Sequence, residues 1–170
     1  IFLELIMRNL QRPGRSPVMA SNAMIATSHP LASQVGIDIM KSGGNAVDAA
    51  IAACATLCVV EPAMTGIGGD CFALYSPAGS RVPLALNGSG RAPKAASVDG
   101  IRAQGISTIE VQSAHAVTVP GAIAAWTKLN ADHGHKSMEE LLAPAINYAQ
   151  NGFPVMHRVG IDWAGLKTKL

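Results

Sequence analysis

The sequence has few charged and few aromatic residues. Charged residues make up 14% of the 170 residues and aromatic residues 4%, whereas a typical charged share is roughly 25%. So few aromatic rings provide little surface on which single-stranded bases can stack. The 13 basic residues are nearly balanced by 11 acidic ones, which leaves a net charge of +2, too small for a protein that binds a phosphate backbone. We therefore expect no nucleic-acid partner. The hydrophobic share of 49% also excludes an intrinsically disordered chain.

A long uninterrupted apolar run is also missing. The longest apolar stretch covers residues 49–60 and contains Thr56, which is well short of the roughly 20 residues that a membrane-spanning helix needs. We therefore expect no membrane association. The mean hydropathy of +0.26 is nevertheless high. A chain whose exterior is partly covered by a partner can carry this much apolar surface, so the composition favours one portion of a larger globule.

No Cys-x-x-Cys pair is present. The three cysteines, Cys54, Cys58 and Cys71, lie among apolar residues, where a free thiol behaves as a small hydrophobic group. This usage favours a reducing compartment, and we expect a cytoplasmic protein.

The amino terminus lacks the charge order and the small-residue cleavage site of a signal peptide. We interpret residues 1–19 as a mobile lead-in and residues 20–170 as the folded part. Met7 is a candidate native start, in which case residues 1–6 derive from an expression vector.

Hydrophobic periodicity and turn residues predict a mixed helix and strand order. The expected elements are helices at 30–41 and 46–60, strands at 71–76, 81–86 and 115–119, and helices at 122–132 and 137–150. The second helix is apolar on every face, which predicts burial. The first two strands are expected to form an antiparallel hairpin, and Pro144 is expected to restart the last helix.

Most polar motifs favour structural roles over chemistry. The glycine-rich stretch 65–69 follows a helix and precedes a strand, the reverse of a phosphate-binding loop, so we interpret it as a tight backbone turn. His133 and His135 lack ligand-spaced partners, and we expect neither a metal site nor a cofactor. His29 is expected to donate or accept a structural hydrogen bond at the start of the first helix. No His near Cys71 in the sequence can be assigned to it as a general base, so Cys71 is not predicted to be a nucleophile.

Arg91 is the exception among the polar residues. It lies in a glycine-rich loop at the end of a predicted strand, where a guanidinium can offer two parallel N–H groups to a carboxylate. The alternative is a surface arginine without a ligand.

Five ordered blocks of the sequence resemble the gamma-glutamyltranspeptidases and their amidohydrolase relatives. The blocks are ATSHPLAS at 26–33, KSGGNAVDAAIA at 41–52, VEP with GIGG at 60–69, VTVPG at 117–121 and LLAPAI at 141–146. The resemblance runs from about residue 20 to residue 157, in the family's order and spacing.

The resemblance implies an α+β fold, a portion of the four-layer αββα sandwich of N-terminal-nucleophile hydrolases. In such proteins a proenzyme cuts itself before a Thr, which then starts the small subunit and attacks an amide, with its own amino group as base. No threonine of this chain stands in the family's Thr-Thr-His context. We therefore expect no catalytic residue in this chain, and we expect the nucleophile on another segment.

This relationship also implies partners. They are the small catalytic subunit of the same proenzyme and a small amide substrate, in a heterodimer or a dimer of heterodimers. The family's large subunit is considerably longer, so the chain is expected to be the front part of that subunit. Some family members are periplasmic, which is the alternative to the cytoplasm.

One block departs from the transpeptidase pattern. In transpeptidases that process glutathione, an Arg-Glu-x-Ala-Pro block holds the glutamyl carboxylate through its Arg. Alignment on Ala92 and Pro93 puts Ser89 at that position and Arg91 two residues later. The block reads NGSGRAP at 87–93 and is similar to that of the oxamate amidohydrolases. Arg91 and Ser89 are the candidate substrate-binding residues.

The expected function is therefore that of the large-subunit portion of a self-processing amidohydrolase that cleaves a small carboxylated amide. One alternative is a gamma-glutamyl transferase or hydrolase that acts on glutathione. An alternative of another class is a catalytically inert structural homologue or a binding module.

Overall fold

The computed structural model of the protein describes residues 17–110 and 112–166. In chain order its elements are α1 (Pro30–Lys41), α2 (Ala46–Val60), β1 (Cys71–Tyr75), β2 (Leu84–Gly88), α3 (Val98–Arg102), a single 3₁₀ turn (Ala114–Ala116), α4 (Ala122–His133), α5 (Met138–Asn151) and α6 (His157–Leu166). This mixture of helices and an antiparallel sheet confirms the α+β prediction. Residues 1–16, most of the expected lead-in and including Met7, lie outside the described residues.

Helix α2 is the centre of the packing. It contacts α1, α5 and α4, and its buried residues are Val47, Asp48, Ala49, Ile51, Ala52, Ala53, Ala55, Thr56 and Val60. Its alanines are short enough for neighbouring helices to approach closely. The prediction of burial is confirmed for most of the helix, whereas Ala46 and Ala50 are exposed and Cys54 is half-buried.

Polar groups fix where the first two helices begin. His29 is 2% exposed, and its Nδ1 accepts a hydrogen bond from the Leu31 N–H at 3.2 Å, as the structural interpretation of this histidine expected. The Asn45 side chain accepts from Asp48 N–H at 3.0 Å, and the Asp48 carboxylate accepts from Asn45 N–H at 2.8 Å. This reciprocal capping box explains why α2 starts directly after the glycine turn that ends α1.

The hairpin is confirmed as an antiparallel pair, in register from Cys71 opposite Gly88 to Tyr75 opposite Leu84. The second strand begins at Leu84 rather than at residue 81, because Pro83 has no N–H to contribute to a ladder. On β1 the side chains alternate. Phe72 and Leu74 are 65% and 80% exposed, while Cys71, Ala73 and Tyr75 are half-buried.

The predicted strand at 115–119 is wrong. Residues 114–116 form the 3₁₀ turn, and Val119 N–H donates to the Arg91 carbonyl at 2.9 Å. Pro120 then removes the next donor, so this segment crosses beside the loop after β2 instead of extending the sheet.

The predicted restart of the last helix at Pro144 is also wrong, because α5 continues through this proline. The ring removes one backbone hydrogen bond, but Leu141 and Ala145 on either side are buried against the core. Packing against α2 keeps the helix continuous. Helices α3 and α6 were not predicted, and α6 buries only Val159. Among the described residues, no helix combines the length and the apolarity needed to cross a bilayer.

Candidate functional site

An open cavity of about 610 Å³ lies where the end of β2 meets the start of α4. It is lined by residues 86–91, by residues 119–121 and by Ala124, Ala125 and Lys128. Both predicted substrate-binding residues, Ser89 and Arg91, are in this lining. The structure therefore brings them together at one concave surface.

Glycines allow the two segments that form the cavity to touch along their backbones. A Cβ atom on Gly90 would overlap the Val119 carbonyl, and Gly90 has φ of +76°, which favours glycine. A Cβ atom on Gly121 would overlap the Gly88 carbonyl. Because no side chain separates the segments, the backbone that carries Arg91 is held against residues 119–121.

Hydrogen bonds fix the same crossing. The Arg91 carbonyl accepts from Val119 N–H at 2.9 Å, and the Ser89 carbonyl accepts from Thr118 Oγ1 at 3.4 Å. The Ser89 N–H donates to Asn87 Oδ1 at 3.0 Å, which tightens the turn after β2. The backbone of the loop is thus engaged, and its side chains remain available for a ligand.

The Arg91 side chain is exposed. Within residues 17–110 and 112–166, its guanidinium has neither an ion-pair partner nor a hydrogen-bond partner. The Ser89 hydroxyl makes one long hydrogen bond, to the Gly90 carbonyl at 3.3 Å. A guanidinium without a partner among the described residues, with a rotatable hydroxyl in the same cavity lining, is an arrangement suited to a carboxylate.

The glycine-rich stretch 65–69 supports the wall of this cavity, in agreement with its interpretation as a backbone turn. The Gly69 carbonyl accepts from Gly121 N–H at 2.9 Å and from Ala122 N–H at 3.1 Å. Helix α4 has no side-chain cap at Gly121, so this carbonyl satisfies the first donors of the helix.

Asp48 holds the loop that follows α4, a role that the sequence analysis does not assign to it. Its carboxylate is fully buried and accepts from His135 N–H at 3.1 Å and from Lys136 N–H at 3.3 Å. Asn130 on α4 also donates to it, at 3.5 Å. A single acidic residue in an otherwise apolar helix was the available signal, since buried carboxylates need several donors.

Lys128 was also missed as a cavity residue. Its position four residues after Ala124 places both side chains on one face of α4, and that spacing was the available signal. The Lys128 ammonium pairs with Asp132 at 2.8 Å. Its hydrogen bond is the main reason that the pKa of Asp132 is lowered.

The remaining candidates do not converge on the cavity. Burial raises the pKa of Cys54, Cys58 and Cys71, which keeps these thiols protonated at neutral pH and poorly nucleophilic. The His133 ring lies 4.6 Å from the Tyr75 ring, measured between centroids. Within the described ranges, no group of three Cys, His, Asp or Glu side chains is arranged to hold a metal ion.

Comparisons with known proteins agree on one family. The chain matches the family described as gamma-glutamyltranspeptidase over residues 32–169. It is 42% identical over 139 residues to the glutathione hydrolase-like YwrD proenzyme of Bacillus subtilis, covering 81% of this chain and 26% of that protein. It is 34% identical over 142 residues to the oxamate amidohydrolase proenzyme of Klebsiella pneumoniae, covering 81% and 26%.

The fold comparison agrees with the sequence comparison. The structure of the Helicobacter pylori gamma-glutamyltranspeptidase superposes with a TM-score of 0.81 at 32% sequence identity, covering 88% of this chain and 44% of that one. The chain spans about a quarter of the length of the two curated relatives above.

Proposed function

Because this chain belongs to the gamma-glutamyltranspeptidase family, we propose that it forms the amino-terminal portion of the large subunit of a self-processing amidohydrolase. The substrate we propose is a small amide that carries a carboxylate. Both curated relatives are named as proenzymes, which supports self-cleavage. The observation that carries the substrate proposal is the guanidinium of Arg91, which lines an open cavity and has no partner among the described residues.

Arg91 binds the substrate carboxylate in this proposal. A guanidinium presents two parallel N–H groups in the plane of a carboxylate, which fixes the orientation of the substrate as well as binding it. The Ser89 hydroxyl lies in the same lining and rotates to donate to the same group. These two side chains orient the amide, and they take no part in bond cleavage.

The reacting group comes from another segment of the proenzyme. A threonine freed by self-cleavage attacks the amide carbon through its hydroxyl oxygen, and its own amino group takes the proton. The carbon–nitrogen bond then breaks, the amine leaves with a proton, and water hydrolyses the resulting ester. The contribution of this chain is to hold the carboxylate end of the substrate at a fixed place.

The proposed partner of this chain is the small catalytic subunit. Phe72 and Leu74 project from the same face of β1 and are 65% and 80% exposed. Ala85, opposite Leu74 on β2, is exposed on that face too. A sheet face of this kind is normally covered by a second layer, and the second sheet of the αββα sandwich is the layer that would cover it.

A gamma-glutamyl transferase or hydrolase acting on glutathione is the second candidate. The name of the Bacillus subtilis relative, glutathione hydrolase-like, favours it. The serine at position 89, where the glutathione-processing block has an arginine, favours the carboxylated-amide activity instead.

The proposal is tested on the full-length protein, purified and allowed to process itself. We expect mass spectrometry to find two chains, the second beginning with threonine, and we expect ammonia release from oxamate to exceed cleavage of glutathione. Cleavage of glutathione alone would favour the second candidate. A single uncut chain with no turnover of either compound would indicate an inert homologue.

A further inference from the structure

A second cation, Lys128, lines the same cavity as Arg91. Ala124, Ala125 and Lys128 lie on one face of α4, and all three border the cavity. The Lys128 ammonium donates to Asp132 at 2.8 Å, and the side chains of this pair are 63% and 44% exposed. An ammonium has three donors, so two remain for a ligand after this bond.

The charge of the cavity lining is entirely positive. Arg91 and Lys128 are its charged members, and no Asp or Glu occurs among the lining residues within the part of the chain that the structure describes. Asp132 borders a separate, neighbouring cavity. Asp132 offsets part of the charge of Lys128 at 2.8 Å, but its carboxylate is outside the Arg91 cavity lining. The lining therefore keeps a net positive charge, which favours a carboxylate over an ammonium.

This charge pattern separates two kinds of acyl group. A gamma-glutamyl group carries an ammonium beside its carboxylate, and the ammonium needs an acidic or carbonyl partner. A glutaryl group has the same carbon chain and the same carboxylate but no ammonium. The cavity lining suits the second kind and penalises the first.

We infer that Lys128 is a specificity-determining residue, which selects acyl groups that end in a carboxylate and carry no ammonium. This role rests on the proposed function, because it requires the Arg91 cavity to be the acyl-binding site. Lys128 acts through its charge and its position on α4, and it takes no part in the chemical step.

The test compares glutaryl-p-nitroanilide with gamma-glutamyl-p-nitroanilide, which differ only in the ammonium group. We expect the full-length, self-processed enzyme to have the higher kcat/KM for the glutaryl compound. Lys128→Met removes the charge and keeps most of the length. It should lower the ratio of the two kcat/KM values about tenfold, since one charge acting across a few ångströms of partly solvated protein has an effect of this order.

Three further variants separate charge from structure. Lys128→Arg keeps the charge and should keep the ratio. Asp132→Asn removes the counter-charge and should raise the ratio severalfold. Lys136→Met is the matched control, because Lys136 pairs with Glu140 at 3.0 Å across the same four-residue spacing but does not border the cavity, so the ratio should not change.

Salt provides an independent readout, since screening weakens interactions between exposed charges. The ratio should fall as ionic strength rises in the parent enzyme and should fall less steeply in Lys128→Met, where Arg91 is the remaining cation of the cavity lining. An unchanged ratio in Lys128→Met, together with a loss on both compounds in Arg91→Ala, would overturn the role of Lys128 and leave the proposed function standing. A correctly cleaved enzyme that releases ammonia from oxamate but turns over neither anilide would overturn the role of Lys128 and leave the proposed function standing. No turnover of oxamate or of either anilide would overturn both.

Discussion

Helix α2 and the crossing of residues 88–91 with residues 119–121 both depend on small residues, but they use them differently. In α2 the alanines reduce the side-chain volume so that neighbouring helices fit closely around a buried apolar element. At the crossing, glycines remove the side chain altogether so that two backbones touch, and the remaining side chains project into an open cavity. The first arrangement buries a helix in the core, and the second exposes side chains, Arg91 among them, in the lining of a cavity.

The two regions also differ in whether their polar and apolar side chains are satisfied by contacts within this chain. The polar groups at the start of α2 find their partners inside the chain, as the hydrogen bonds of Asp48 show. Next to the cavity, Arg91 has no partner among the described residues, and Phe72 and Leu74 on β1 face outward. Substitutions in the helical region should therefore affect folding, and substitutions at the cavity should affect assembly or chemistry.

The largest effect is expected for Ala52→Asp, because Ala52 is 0% exposed and lies in the hydrophobic core. A buried unpaired charge costs several kcal/mol, so the melting temperature of the full-length protein should fall by several degrees or the protein should not fold. Ala50→Asp is the matched control, since Ala50 is exposed on the same helix and its variant should melt near the parent. Equal melting of Ala52→Asp and the parent would contradict the placement of α2.

A smaller loss of stability but a large loss of activity is expected for Gly90→Ala. The positive φ and the overlap with the Val119 carbonyl force the Arg91 loop to move, and such strain costs about 1–3 kcal/mol. Gly79→Ala is the control, because Gly79 has a similar φ of +77° but an added Cβ would meet nothing within 4 Å. If both variants kept full amidase activity, the close crossing would not be what positions Arg91.

The smallest effect is expected at the start of α5, for Glu140→Gln. The Ser137 N–H and the Lys136 ammonium donate to the Glu140 carboxylate and lower its pKa to about 2. Because the folded-state pKa is depressed, the stabilisation is present above the ordinary pKa of Glu and is lost as the pH falls through about 2. We expect a small difference in melting temperature between parent and variant at pH 7 that shrinks as the pH is lowered. A difference that does not depend on pH would assign the effect to packing instead.

The sequence predicted the elements whose signals are local. The apolar length of α2, the Ser137–Glu140 capping box and the turn between the two strands each occupy a short window, and the structure contains all three. The strand prediction for residues 115–119 is wrong because β-branched residues are also common in extended segments outside a sheet, and this segment pairs with the loop after β2. The predicted restart of the helix at Pro144 is wrong because the burial of Leu141 and Ala145 offsets the backbone hydrogen bond that this proline removes.

The candidate site was predicted in part. Arg91 and Ser89 could be found because they lie in one loop within a block of family resemblance. Lys128 and Asp48 could not be found in this way, because the residues that they meet in the structure are tens of positions away in the sequence. Only tertiary packing brings α4 to the end of β2 and the loop after α4 to the start of α2.

The assignment of Arg91 to the substrate carboxylate is tested most directly by the kinetics of Arg91→Ala in the full-length, self-processed enzyme. A charge-assisted hydrogen bond contributes about 1.5–3 kcal/mol, so kcat/KM for a carboxylated amide should fall about 10- to 150-fold. Turnover of a neutral amide, self-cleavage and the melting temperature should stay near those of the parent, and Arg91→Lys should recover only part of the loss. Unchanged kinetics on the carboxylated amide would contradict the assignment, and so would equal losses on charged and neutral amides with a lowered melting temperature.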